Sequence, residues 1–101
     1  MKEITSYKEM TENSNDKHLK DFIGFLSSNK NDILNYFKKH NDVKSIVTFK
    51  ATDYITGEKS DELIKCFDDG TYSWTNEEIY HFEKYDLKLN DDFIKHVLKR
   101  S

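Results

Sequence analysis

The sequence predicts one α+β domain in the order ααβββαα: two N-terminal helices, a three-stranded antiparallel sheet and two C-terminal helices. Three observations predict it. Apolar residues recur at helical spacing up to His40, the spacing changes to strict alternation after Lys44, and helix-capping patterns return from Thr75 onward. With 101 residues there is room for one core, so residues 1–101 read as a single domain. Apolar residues make up 36% of the chain and charged residues 35%, a lean balance, but the 14% aromatic content supplies large buried areas and argues for a folded chain.

The elements follow in order. Residues 1–13 carry a weak stripe of Ile4, Tyr7 and Met10 and read as a loosely packed turn or short helix. Leu19, Phe22, Ile23 and Leu26 stand at i, i+3, i+4 and i+7 and predict an amphipathic helix over about 15–27. Ser27-Ser28-Asn29 ends it. Asn29 or Asn31 then caps a second helix to about His40, with Ile33, Leu34 and Phe37 inward, so that the two form a hairpin. In Lys44–Thr52, Val47, Phe49 and Ala51 alternate with Thr48 and Lys50, as in a strand with one buried face. Thr56–Ser60 is a turn and residues 62–67 a second strand. Asp69-Gly70 is the strongest hairpin signal; as a two-residue loop it pairs Phe67 with Tyr72 and Lys65 with Trp74. Thr75-Asn76-Glu77-Glu78 is a capping box that opens a helix to about Tyr85. Asn90 caps the last helix, whose Phe93, Val97 and Leu98 face the core.

Composition narrows the chemistry. Cys66 is the only cysteine, which excludes an intrachain disulfide and disfavours a thiolate zinc site. No apolar run resembles a signal peptide or a membrane span, so a cytoplasmic location is expected. Fifteen lysines against one arginine, Arg100, fit an AT-rich coding sequence of bacterial or phage type. Of the four histidines, His18 and His40 lie near helix ends and His96 flanks an apolar stripe. His81 shares a helix face with Glu77 and Glu78, but no further cluster completes a metal site, and a surface ion pair is the simpler reading. Cys66 has no base beside it and reads as core filling. With only Gly24, Gly57 and Gly70, no phosphate-cradling loop can be built, and no cofactor is expected. Nothing supports an enzyme.

Charge is distributed unevenly. Residues 1–50 hold nine basic and seven acidic side chains, whereas residues 61–92 hold ten carboxylates against three lysines, a balance of −7. Aromatic residues are interleaved with those carboxylates. The pattern suits recognition of a basic protein, with Asp69, Trp74, Glu77, Glu78, Tyr80 and Glu83 as the candidate contact residues. The functional expectation is a non-enzymatic inhibitor, an immunity protein that neutralises a bacterial toxin of nuclease type. A phage inhibitor of a host nucleic-acid enzyme, of anti-CRISPR type, is the first alternative. A small RNA-binding module using Lys38, Lys39, Lys44 and Lys50 is the second. Neither a membrane nor, on the leading reading, a nucleic acid is an expected partner.

Because no complete set of metal ligands is present, the melting temperature is expected to stay the same in chelator. A thermal melt with and without chelator, together with metal analysis of the purified protein, checks this; stoichiometric metal or a collapsed melting temperature is the contrary result.

Overall fold

The computed structural model describes residues 2–5, 7, 10, 18–25 and 27–100. It is an α+β fold of three α-helices and one four-stranded mixed sheet. Strand β1 is Lys2–Glu3, α1 Lys30–Lys39, β2 Ser45–Thr52, β3 Lys59–Asp68, β4 Tyr72–Thr75, α2 Asn76–Tyr85 and α3 Asp91–Arg100. A one-turn 3₁₀ segment, Leu19–Phe22, precedes α1. The sheet order is β1-β4-β3-β2, with β1 parallel to β4 and the other pairs antiparallel.

Two parts of the expected ααβββαα order are thereby corrected. Among the described residues only one α-helix precedes the central strands. Residues 15–17 and Leu26 of the expected first helix lie outside the described residues, as do Met1, Ser6, Lys8, Glu9 and 11–13 of the N-terminal turn. Within the rest, the backbone is engaged elsewhere. Lys88 N–H donates to Phe22 C=O at 2.9 Å, Gly24 N–H to Tyr85 C=O at 2.8 Å and Phe25 N–H to Asp86 C=O at 2.9 Å. A helix through Phe25 would need some of those same groups for its own ladder. Leu19, with Phe22 and Ile23 beside it, instead packs with Tyr7 and Leu87 in a small secondary core. The second correction is the sheet, which is four-stranded and mixed. Strand β1 has two residues, too few to show any alternation, and joins at the edge of β4 with Lys2 opposite Tyr72.

The main core lies between the β4 end of the sheet and the helices. Trp74 is 2% exposed, and its ring packs 5.3 Å from Phe37 and 5.7 Å from Phe93, centroid to centroid. Ile4, Ile33, Tyr36, Tyr72, Phe82, Leu89 and Val97 complete the cluster. Helix α3 begins directly after Asn90, whose C=O accepts from Phe93 and Ile94 N–H at 3.1 and 3.2 Å.

Strand β3 has ten residues and β4 only four, so the β2–β3 ribbon runs on without a third strand beside it. Asn76 closes the step. Its Oδ1 accepts from Lys65 N–H at 3.0 Å and its Nδ2 donates to Leu63 C=O at 3.1 Å, replacing the ladder bonds β4 no longer supplies. Apolar side chains of this ribbon are in the open. Phe49 is 71% exposed and Ile46 56%, where alternation alone had suggested one buried face. Pairing across the ribbon is interrupted by register shifts between Val47 and Lys50 and between Lys50 and Thr52.

The β3–β4 turn is shifted from the expected register. Phe67 lies opposite Trp74, and Asp69 N–H donates to Tyr72 C=O at 3.1 Å, so Gly70 and Thr71 are the two turn residues. Gly70 sits first, at φ +92°, and the Asp69 carboxylate accepts from Thr71 and Tyr72 N–H at 2.8 and 2.7 Å. A Cβ at Gly70 would meet nothing within 4 Å, so the strain of a substitution there is confined to the backbone. Gly70→Val should destabilise the fold by about 1–3 kcal/mol, read from the denaturation midpoint. An unchanged midpoint would contradict this turn geometry.

Candidate functional site

Helix α2 starts where β4 ends, and a capping box sets its first turn. Glu78 N–H is received by the Thr75 side chain, while the Glu78 carboxyl receives Thr75 N–H at 3.2 Å. This fixes the direction in which residues 77–82 point. Glu77, Glu78, His81 and Phe82 are all buried. Glu77 Oε2 accepts from Thr52 N–H and from the Tyr54 hydroxyl, both at 2.9 Å. His81 is fully buried, with Nε2 accepting from Tyr54 N–H at 2.9 Å and Nδ1 facing Glu77 C=O at 2.7 Å. Those partners require a proton on Nδ1 and none on Nε2, which makes His81 a neutral structural link rather than half of a surface ion pair.

Asp53 anchors the turn after β2 in the same region. Its Oδ1 accepts from Ile55 and Thr56 N–H at 2.8 and 3.0 Å. Its Oδ2 accepts from the hydroxyls of Tyr80 and Tyr85 at 2.7 and 2.6 Å. Burial opposes ionisation of Asp53, but those four donors outweigh it and hold the carboxyl well below the usual carboxylate range. The hydrogen bond to Asp53, with burial adding to it, pushes the Tyr85 phenol up to about 12. Lys84 donates to the Tyr80 hydroxyl at 3.0 Å, a bond that raises its own proton affinity.

Between α2 and the ribbon lies a groove of about 340 Å³. Asp53, Glu77 and Tyr80 line it from the α2 side and Glu58, Lys59 and Glu62 from the ribbon. The ribbon also carries exposed apolar side chains, Ile46, Val47, Phe49 and Leu63, with Val43 just before β2. Glu58, Asp61 and Glu62 are exposed along the turn and the outer half of β3. Exposed apolar side chains and charges of both signs therefore share the ribbon, with Lys65 opposite Ile46 and Lys50 opposite Leu63, in a part of the chain that sequence reasoning had assigned partly to the core.

Of the six candidate contact residues, Tyr80 and Glu83 are exposed. Trp74, Glu77 and Glu78 are buried, and the Asp69 side chain has no exposure at all. Asp69 Oδ2 accepts from the Tyr36 hydroxyl at 2.5 Å and meets His96 Nε2 at 2.8 Å. Burial opposes ionisation there too, but bonds from Tyr36, Tyr72 N–H, Thr71 N–H and His96 keep the carboxyl well below the usual range. The structure brings Tyr80 and Glu77 to the groove; it does not bring Asp69, Trp74 or Glu83 there. Phe49 and Leu63 were missed as surface residues. Their exposure goes with a β3 of ten residues beside a β4 of four, lengths that the expected strand over 62–67 did not contain.

Among the described residues no group of three or more His, Cys, Asp or Glu side chains is placed to hold a metal ion, and no helix is long and apolar enough to cross a membrane. Compared with known protein families, curated proteins and solved structures, the chain matches none.

Asp53 and Asp69 give a prediction about acid. Both carboxyls have depressed pKa values in the folded state, so their contribution is present above the unfolded value near 3.8 and is lost as pH falls below it. Stability should drop on acidification from about pH 4. Asp53→Asn or Asp69→Asn should cost about 1–3 kcal/mol at pH 7 and flatten the acid limb. Urea denaturation at a series of pH values checks this, and parallel acid limbs for wild type and variants would be the contrary result.

Proposed function

We propose that the chain is a non-enzymatic inhibitor of the immunity-protein kind, which binds a basic protein in the cytoplasm and blocks it. A nuclease-type toxin domain is the partner that fits best. The supporting observation is the uncovered β2–β3 ribbon, on which Phe49 is 71% exposed and Ile46, Val47 and Leu63 are also exposed, and along which Glu58, Asp61 and Glu62 are exposed together with Lys50 and Lys59. Large apolar groups at the centre of a contact supply most of its affinity, and surrounding carboxylates steer a basic partner and set the orientation. Phe49 takes the anchor role on this reading, because Trp74 is committed to the core. Tyr80 lies on the rim of the adjoining groove.

Phe49 also favours the RNA-binding module as a second reading. An exposed ring in the same strand as the exposed Lys50 is the kind of surface on which a base can stack. The carboxylates of Asp61 and Glu62 across the ribbon count against it, since they repel phosphate.

Capture from bacterial extract with the immobilised chain tests both readings. Wild type should retain a basic protein and inhibit its nuclease activity. Reversal of Glu58, Asp61 and Glu62 to Lys should slow association and weaken its salt dependence. Phe49→Ser should cost about 2–4 kcal/mol of binding while leaving the melting temperature nearly unchanged. Capture that survives both changes, or tight RNA binding at about 0.15 M salt, would overturn the inhibitor reading.

A further inference from the structure

The groove between α2 and the ribbon has a buried base and an exposed rim. Asp53 and Glu77 are its buried lining residues, while Glu58, Lys59, Glu62, Tyr80 and Lys84 are exposed around them. Most polar groups at the base are already spent within the fold. Asp53 accepts four bonds, two on each oxygen. Asn76 is engaged with β3 through both its donor and its acceptor, and the Thr52 hydroxyl donates to Lys50 C=O at 3.4 Å. Glu77 is the exception. Its Oε2 takes both of its bonds, from Thr52 N–H and the Tyr54 hydroxyl, and its Oε1 takes none among the described residues. Glu77 is only 5% exposed, yet Oε1 is not enclosed: among the described residues the enclosed side-chain atom without a partner is Trp74 Nε1. The small surface that Glu77 presents lies in the groove it lines.

A recessed acceptor oxygen binds a donor, and a charged donor more strongly than a neutral one. The charges that line the groove point the same way: the carboxylates of Asp53, Glu58, Glu62 and Glu77 stand against Lys59 and Lys84. Neither lysine serves Glu77. Lys84 donates to the Tyr80 hydroxyl at 3.0 Å, and the salt bridges among the described residues, Lys30–Asp86 and His96–Asp69, involve neither of them. One open oxygen is too few for a divalent metal ion, which takes several oxygen ligands, and too few for the two-pronged grip of a guanidinium. It suits a primary ammonium, a compact charge with three donors. The hydroxyls of Thr56 and Ser60 line the same groove and offer further acceptor lone pairs. A volume of about 340 Å³ is at the small end for a ligand site and holds one short alkyl chain, which can lie against Ala51 and the Tyr80 ring.

We propose that this groove is a binding site for one primary ammonium group on an alkyl stem. Glu77 Oε1 is the acceptor at its base, and Glu58 and Glu62 attract the charge at its mouth. The end of the ribbon and the first turns of α2 form its two walls. Glu77 and His81 tie those walls together at Thr52 and Tyr54, so the site is formed before its ligand arrives. The carboxylate that joins the walls thus offers its second oxygen to the ligand. On the inhibitor reading the ammonium belongs to a lysine of the basic partner; a free polyamine carries the same group. The site itself rests on the groove and not on that reading.

Titration of the isolated chain, followed by amide NMR at about 0.15 M salt, tests it. The probes are Nα-acetyl-lysine methylamide, its norleucine counterpart, which lacks only the ammonium, and spermidine. The lysine compound should shift the amides of Thr52, Tyr54 and Glu77 and saturate with a Kd on the order of millimolar, as a ligand of this size allows. The norleucine compound should not. Glu77→Gln should weaken binding by about ten-fold or more, because the new side-chain oxygen can keep the Thr52 and Tyr54 bonds while its NH₂ puts donors where the open oxygen was. Glu62→Gln at the rim should weaken it by about two-fold. Asp92→Asn, exposed on α3 and outside the groove, should leave it unchanged. Should Glu77→Gln fail to fold, nuclear Overhauser contacts from the lysine ε-methylene to the Tyr80 ring and the Ala51 methyl in wild type remain as the readout. Similar affinities for the two amines point to a protein side chain as the source, and far tighter binding of spermidine to a free polyamine. The partner takes no part in these measurements, so the site and the inhibitor reading can fail separately. Absence of saturable shifts with the lysine compound, equal binding of the norleucine compound, or full affinity in Glu77→Gln would each overturn the site.

Discussion

Three polar side chains on one helix, Glu77, Glu78 and His81, are buried with hydrogen-bond partners, and the rest of the architecture depends on where they reach. Glu77 and His81 take hold of the chain at Thr52 and Tyr54, where β2 ends. Glu78 holds Thr5 of the N-terminal segment. Phe82, on the same helix, enters the aromatic core. One ten-residue element thereby joins the ribbon, the N-terminal strand and the core. Each buried acceptor is costly to leave unpaired, so the parts it bonds are held in one arrangement.

That dependence explains where sequence reasoning succeeded and where it did not. Features decided by neighbours in the chain were legible: the Thr75 capping box, α1 before His40, the helix after Asn90 and a turn at Gly70. Features decided by distant partners were not. Glu77 and Glu78 read as exposed contact residues for a basic partner because carboxylates are usually at the surface. A hint was present, since Glu78 stands four residues before Phe82 and so lies on the stripe that faces the core. Likewise Leu19, Phe22 and Ile23 keep helical spacing, yet their segment bonds to residues 85–88 in a mostly non-helical form that no local pattern announces.

The charge pattern of residues 61–92 divides on the same principle. Asp69 is consumed by Tyr36, His96 and its own turn; Glu77 and Glu78 are consumed by α2's tertiary bonds. Asp86 pairs with Lys30 at 2.6 Å. The carboxylates left exposed include Asp61, Glu62, Glu83, Asp91 and Asp92. A net charge read along the chain overstates the field available to a partner, because carboxylates held in internal bonds act on the fold first. On the outer ribbon Asp61 and Glu62 remain, where Lys50 and Lys59 are exposed as well.

A ribbon of two strands, uncovered on its outer half, would be marginal by itself. Here it is held at the hairpin end, at Thr52 and Tyr54, by the Glu77 and His81 bonds and at the step by Asn76, so its exposed side chains ride on a fixed support. Fixing a surface before a partner arrives removes part of the entropy loss of association. It also carries a hazard, because β2 is an edge strand with large apolar groups in the open. Lys50 and the register shifts on either side of it disrupt a flat edge, the usual means of discouraging strand-to-strand pairing between copies. The same irregularity leaves Phe49 in the open. Protection of the edge and presentation of the anchor are thus two results of one local break in the ladder.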